Sequence, residues 1–131
     1  MSQENVEIVR AIFADFARGD FSRWFSQAAD DFVFVTSPEL PDAGTYRGEA
    51  ARLWVTAWGD SFEDHTMQAT ELIDAGDKVF LEILQQGRPH GGQIPVEGRW
   101  WVVVTLQEGA VTRTEVFRER APALEAAGLS E

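Results

Sequence analysis

FEDHTMQATELIDAGDKVFLEILQQ, residues 62–86, and IPVEGRWWVVVTLQEGAVTRTEVFRE, residues 94–119, decide the fold. Both stretches are rich in β-branched and aromatic residues, and apolar positions alternate with polar ones over much of their length. That is the pattern of half-buried strands. Asp74-Ala75-Gly76-Asp77 and Glu108-Gly109 interrupt the pattern with residues that favour tight hairpin turns. The stretches therefore read as four long strands: Phe62–Asp74, Lys78–Gln86, Ile94–Gln107 with a bend near Gly98, and Ala110–Glu119. Gly87–Gln93 holds three glycines and Pro89 and reads as a mobile loop, with residues 87–92 placed where a lid could sit.

The chain before residue 62 has a different period. Val6, Val9, Phe13 and Phe16 recur at helical spacing, with Ile12 and Ala17 widening the stripe. Ser2 suits the N-cap, Glu4 and Glu7 suit the positive end of the helix dipole, and Gly19 suits the C-cap. Helices are expected over Ser2–Arg18, Asp20–Ala28 and Gly48–Trp58, the last with Trp54 and Trp58 on one face. Phe32–Thr36 reads as a short strand, preceded by a turn at Asp30-Asp31. Ser37–Tyr46 reads as a loop marked by Pro38, Pro41 and Gly44, and Pro122–Ala127 as a short closing helix. Helices first and long strands after predict one α+β domain over residues 1–131. Its curved antiparallel sheet wraps three N-terminal helices, with a pocket where the layers fail to meet.

Composition narrows the function. Twenty-two acidic and 11 basic residues give a net charge of −11, which argues against nucleic-acid binding, since phosphate contacts need a basic surface. No apolar run approaches the ~20 residues of a membrane span. The acidic start MSQENVE lacks an apolar signal region, so a cytoplasmic protein is expected. There is no cysteine, hence no disulfide, thiol nucleophile or thiolate metal site. Glu63, Asp64 and His65 are consecutive and alternate faces on a strand, so they do not converge on a metal. No metal or cofactor motif is present.

SQENVEIVRAIFADFARGD at 2–20, SPELPDAGTYRG at 37–48 and FRERAPALEAAGL at 117–129 together resemble the SnoaL-like family of the nuclear transport factor 2-like superfamily. The resemblance runs from Ser2 to Leu129. It implies a conical α+β fold, a pocket between helices and sheet, and a dimer packed through the sheet. Relatives include polyketide cyclases, ketosteroid isomerases, epoxide hydrolases, dehydratases and non-enzymatic domains, so the fold does not choose an activity. Carried over with Gly19, Gly48 and Gly109 as anchors, the isomerase base falls on Thr36 or Ser37, its tyrosine near Ile12 and its acid near Trp101. None of these carries the required group. Arg99 matches the hydrolase arginine, but Trp101 and Thr114 stand where its acids belong. A cyclase needs an aspartate beside a histidine. Asp15 reads as a flank residue, and His65 and His90 as surface residues.

In the register the resemblance implies, Val79, Leu81, Ile83 and Gln85 face the pocket. Arg99, Trp101, Val103 and Thr105 join them, followed by Thr114, Val116 and Arg118. Ile12, Phe16, Trp54, Trp58 and Trp24 come from the helices, and Phe34 or Val35 with Thr36 closes the floor. The expected ligand contacts are thus Phe16, Trp54, Trp58, Leu81, Ile83, Arg99, Trp101, Val103, Thr114 and Val116. Such a lining suits a small hydrophobic molecule, bound or turned over by a cyclising, isomerising or dehydrating proton transfer. Arg99 would hold an anion, with Thr36 or His65 assisting. The alternatives are an Arg99 paired with Glu97 or reaching water at the rim, and a non-catalytic domain whose tryptophans fill the cone. The opposite face then carries Phe80, Leu84, Trp100, Val102, Val104 and Phe117, apolar enough to predict a homodimer through the sheet.

Overall fold

The computed structural model describes residues 2–18, 20–36, 43–91, 94 and 96–129, without the side chains of Ser2 and Glu63. The Gly19 helix stop, the loop at 37–42, and residues 92 and 93 of the glycine-rich stretch lie outside them, as does the capping role of Ser2. Ten elements follow in order: α1 (Ser2–Phe16), α2 (Ser22–Gln27), β1 (Ala28–Val35), β2 (Thr45–Arg47), α3 (Gly48–Asp60), β3 (Phe62–Ala75), β4 (Lys78–Pro89), β5 (Val96–Gln107), β6 (Ala110–Phe117) and α4 (Arg120–Ala126). They build one six-stranded sheet in the order β2-β1-β6-β5-β4-β3.

The four long strands pair antiparallel, as their turns dictate. Gly76 and Gly109 take positive φ, and Glu108 does so beside Gly109, giving the positive-φ pair of a two-residue hairpin turn. Asp74 accepts from the Gly76 N–H at 2.9 Å, which pins the first turn. The sheet is mixed rather than wholly antiparallel, because β1 lies parallel to β6. Asp30 and Asp31 belong to β1, not to a turn before it. The glycine-rich stretch is shorter as a loop than expected, since β4 runs on to Pro89. Ladder irregularities in β3, β5–β6 and β1–β6 bend the sheet around the helices.

The stripe on α1 is the face that packs. Val6, Val9, Ile12, Phe13 and Phe16 are buried against β3 and β4. Asn5 donates to the Gly76 carbonyl at 3.1 Å and locks α1 over the first hairpin. On the other side of the sheet, α4 packs Ala123, Leu124 and Ala127 on Phe80 and Val103. Lys78 donates to the Ala126 carbonyl at 2.9 Å at one end of α4, and Arg120 pairs with Glu71 at 2.5 Å at the other. The bond from Arg120 holds the Glu71 carboxyl below its ordinary pKa. No helix among the described residues is long and apolar enough to cross a membrane.

Candidate functional site

Between the helices and the inner face of the sheet lies a cavity of about 80 Å³. Val9, Ile12, Phe13 and Phe16 of α1 form one wall, with Trp24 of α2 and Phe34 of β1 beside them. Trp54, Val55 and Trp58 come from α3. The sheet contributes Met67, Ile83, Trp100, Val102, Val104, Thr114 and Val116. The aromatics pack on one another rather than into the space. Trp24 meets Phe32 edge-on at 4.9 Å, and Trp54 stacks on Trp58 at 6.4 Å. Trp58 meets Trp100 edge-on at 6.5 Å. Four of the five tryptophans thus frame the cavity without filling it.

Phe16, Trp54, Trp58, Ile83, Thr114 and Val116 border the cavity where the sequence reading placed them. Leu81 is on the inner face but lies in the core away from the cavity. Arg99, Trp101 and Val103 do not border it, because the phase of β5 is opposite to the one expected. Residues paired across an antiparallel ladder share a face. Ile83 pairs with Trp100 and Leu81 with Val102, so Trp100, Val102 and Val104 point inward. A bulge causes the change. Continuous pairing from the Gln107–Ala110 turn would set Thr114 opposite Val103, but the ladder slips at Thr112 and sets it opposite Val104. A one-residue slip exchanges the two faces of a strand. Arg99 is consequently a half-exposed outer residue, bonded to Glu82 at 2.9 Å and not to Glu97. The expected dimer face is corrected likewise. Phe80 lies beneath α4 with Phe117 packed beside it, and Leu84 pairs with Arg99 on that same side. Trp100, Val102 and Val104 belong to the pocket side.

The catalytic candidates separate. Thr36 is buried, and its hydroxyl accepts from the Gly44 N–H at 2.8 Å while facing the Gly44 carbonyl at 3.2 Å. It fastens the chain around the 37–42 stretch and does not border the cavity. His65 stands one layer behind the wall. Its ring stacks on Phe62 at 5.0 Å and meets the edge of Trp58 at 5.2 Å. Gln85, buried on β4, joins His65 to the wall. The Trp100 indole N–H, a donor only, bonds to Gln85 Oε1 at 2.8 Å. The Gln85 amide must then present its N–H₂ to His65 Nε2, 3.1 Å away. Nε2 is therefore the acceptor, and the imidazole carries its proton on Nδ1. Partial burial lowers the His65 pKa, and a second proton at Nε2 would face the Gln85 donor. Both effects keep the ring neutral. Arg118 lies over the Trp100 ring at 4.5 Å and donates to the Arg99 carbonyl at 3.2 Å, so Trp100 is held on its face and at its N–H.

Asp15 is not the flank residue its place on α1 suggested. It is buried, with Arg18 and Arg23 both bonded to its carboxylate. The Arg23 bond lowers its pKa most. This clamp ties α1 to α2, and none of its three residues borders the cavity. Among the described residues no group of three His, Cys, Asp or Glu side chains could hold a metal ion.

The geometry has close counterparts. A structure from Catenulispora acidiphila with a ketosteroid isomerase-like fold, solved with trimethylamine, superposes with a TM-score of 0.73 at 21% identity, covering 94% of this chain and 93% of that one. A candidate SnoaL-like polyketide cyclase from Jannaschia superposes with a TM-score of 0.75 at 20% identity over 88% of this chain and 85% of that one. A nuclear transport factor 2-like protein from Burkholderia xenovorans is 27% identical over 97% of each chain, with a TM-score of 0.70. No curated protein sequence matches. The family model of the SnoaL-like domain matches residues 9–114, so the chain belongs to the SnoaL-like family of the nuclear transport factor 2-like superfamily.

Proposed function

We propose that this SnoaL-like protein binds a small hydrophobic molecule between its helices and its sheet. The carrying observation is an unfilled cavity of about 80 Å³ whose lining is apolar and aromatic except for Thr114. Interiors normally close to crystal density, so space retained inside a core points to a ligand site. None of the described residues bordering the cavity is Asp, Glu, His, Lys or Arg. That lining supports binding over proton transfer, which needs a titratable group within reach of the substrate. A thermal-shift series of small neutral lipophiles tests the reading. Compounds of a few heavy atoms should raise the melting temperature with increasing concentration. A flat response throughout the series would contradict it.

A homodimer through the outer sheet face is the associated proposal, on a corrected set of residues. α4 covers Phe80 and Val103 there. Trp101, Phe117 and Leu84 are only half-buried and lie beside the Arg99–Glu82 pair. A patch that joins large apolar side chains to an ion pair suits a protein interface. Light scattering at micromolar concentration reads the state directly, and a monomer would set this proposal aside.

A further inference from the structure

Thr114 sits in the middle of the pocket side of β6, across from Val104 on one flank and Phe34 on the other. It is 5% exposed, and its Oγ1 is buried with no hydrogen-bond partner. Buried hydroxyls are usually bonded, since leaving one unmade forfeits the hydration it had in the unfolded chain. Thr105 is the other described residue with such a hydroxyl, and it does not border the cavity. Thr114 alone therefore combines an unmet hydrogen bond with a place in the wall.

Resting on the binding reading above, we infer that Thr114 anchors the ligand, and that the ligand is a neutral molecule carrying one carbonyl or hydroxyl oxygen on a compact apolar body. Three features select that class. A hydroxyl is both donor and acceptor, so either oxygen type completes it. An ion entering this wall would lose its hydration and meet no counter-charge among the described lining residues, which favours a neutral molecule over a carboxylate or an ammonium ion. The volume sets the size. An apolar cavity near 150 Å³ takes benzene, so about 80 Å³ holds roughly three to four non-hydrogen atoms before the walls move. One hydrogen-bonding group per ligand follows, because the described wall offers one unmet partner, which a turn of the Thr114 side chain would bring to the space.

Acetone and isobutene test the assignment as a pair. They have the same size and shape, and differ by an oxygen in place of a methylene carbon. Binding is followed by chemical-shift titration of the methyl groups of Ile83 and Val102 in the wild type, Thr114→Val and Thr114→Ser. Thr114→Val keeps the shape and removes the hydroxyl. It should weaken acetone roughly three- to tenfold relative to isobutene, the range a single net hydrogen bond supplies. Thr114→Ser should retain the wild-type preference within about twofold. Unliganded Thr114→Val should also melt higher than the wild type, because an unmet buried hydroxyl is gone. If both probes bind the wild type and Thr114→Val leaves their ratio unchanged, the anchor is wrong while the binding site stands. If neither probe binds, the binding reading fails and the anchor with it. Occupation of the cavity by trimethylammonium would overturn the neutral class.

Discussion

Ile83→Ala is expected to destabilise the protein by about 2–5 kcal/mol and, in the same step, to create affinity for benzene. Ile83 is 1% exposed and stands between the cavity and the centre of the sheet. Truncation removes transfer free energy and leaves space that the stiff sheet cannot close. That space merges with the existing 80 Å³ and moves it toward the volume at which benzene enters a dry apolar cavity. Saturating benzene should then restore part of the lost stability, by the linkage between binding and unfolding. Leu124→Ala is the control. Leu124 is 3% exposed but projects from α4 onto the other face of the sheet, so its loss should cost a similar amount without benzene rescue. Denaturant melts of both variants, with and without benzene, check the pair. Equal rescue of both would show that the effect owes nothing to the pocket.

Trp100→Ala and Trp101→Ala, adjacent in sequence, are expected to fail in different ways. Trp100 borders the cavity, bonds to Gln85 and lies under Arg118. Its removal should cost about 2–3 kcal/mol, less than the ~3–5 of a fully buried tryptophan because it is only half-buried. It should also release Gln85 and His65, since Gln85 then has no donor to orient it. The His65 imidazole resonances should shift in Trp100→Ala and stay in place in Trp101→Ala. Trp101 lies on the outer face with its Nε1 3.2 Å from Glu82. Trp101→Ala should leave ligand affinity unchanged and weaken self-association at micromolar concentration. Ligand titration and light scattering on both variants separate the outcomes. A ligand-binding loss confined to Trp101→Ala would reverse the orientation of β5.

This pair bears on what the sequence could reveal. The α1 stripe of Val6, Val9, Phe13 and Phe16 has a single period and a single buried face, so it was legible. The long strands and their turns were legible too, because alternation and glycine-bearing turns are local signals. The phase of β5 was not. RWWVVV is apolar at both parities, so alternation has no sign there. The bulge at Thr112 that settles the phase leaves no mark in composition. β2 is three residues long and forms only by pairing with β1, and the parallel contact of β1 with β6 joins segments about 80 residues apart. The Asp15 clamp needs Arg23 from the next helix, and the His65–Gln85–Trp100 relay needs three strands in register. Such groups meet only through tertiary structure. Six of the ten expected contacts border the cavity, while Arg99, the polar candidate, lies on the other face of the sheet beside Glu82.

The most direct test is a crystal of the wild-type protein pressurised with xenon, which occupies dry apolar cavities without chemical complementarity. A xenon peak enclosed by Phe16, Ile83, Val102 and Thr114 is expected, with Trp58 and Trp100 in place around it. An empty map with the tryptophans collapsed into that space would contradict it, and would make this protein a filled cone whose function lies on its outer face.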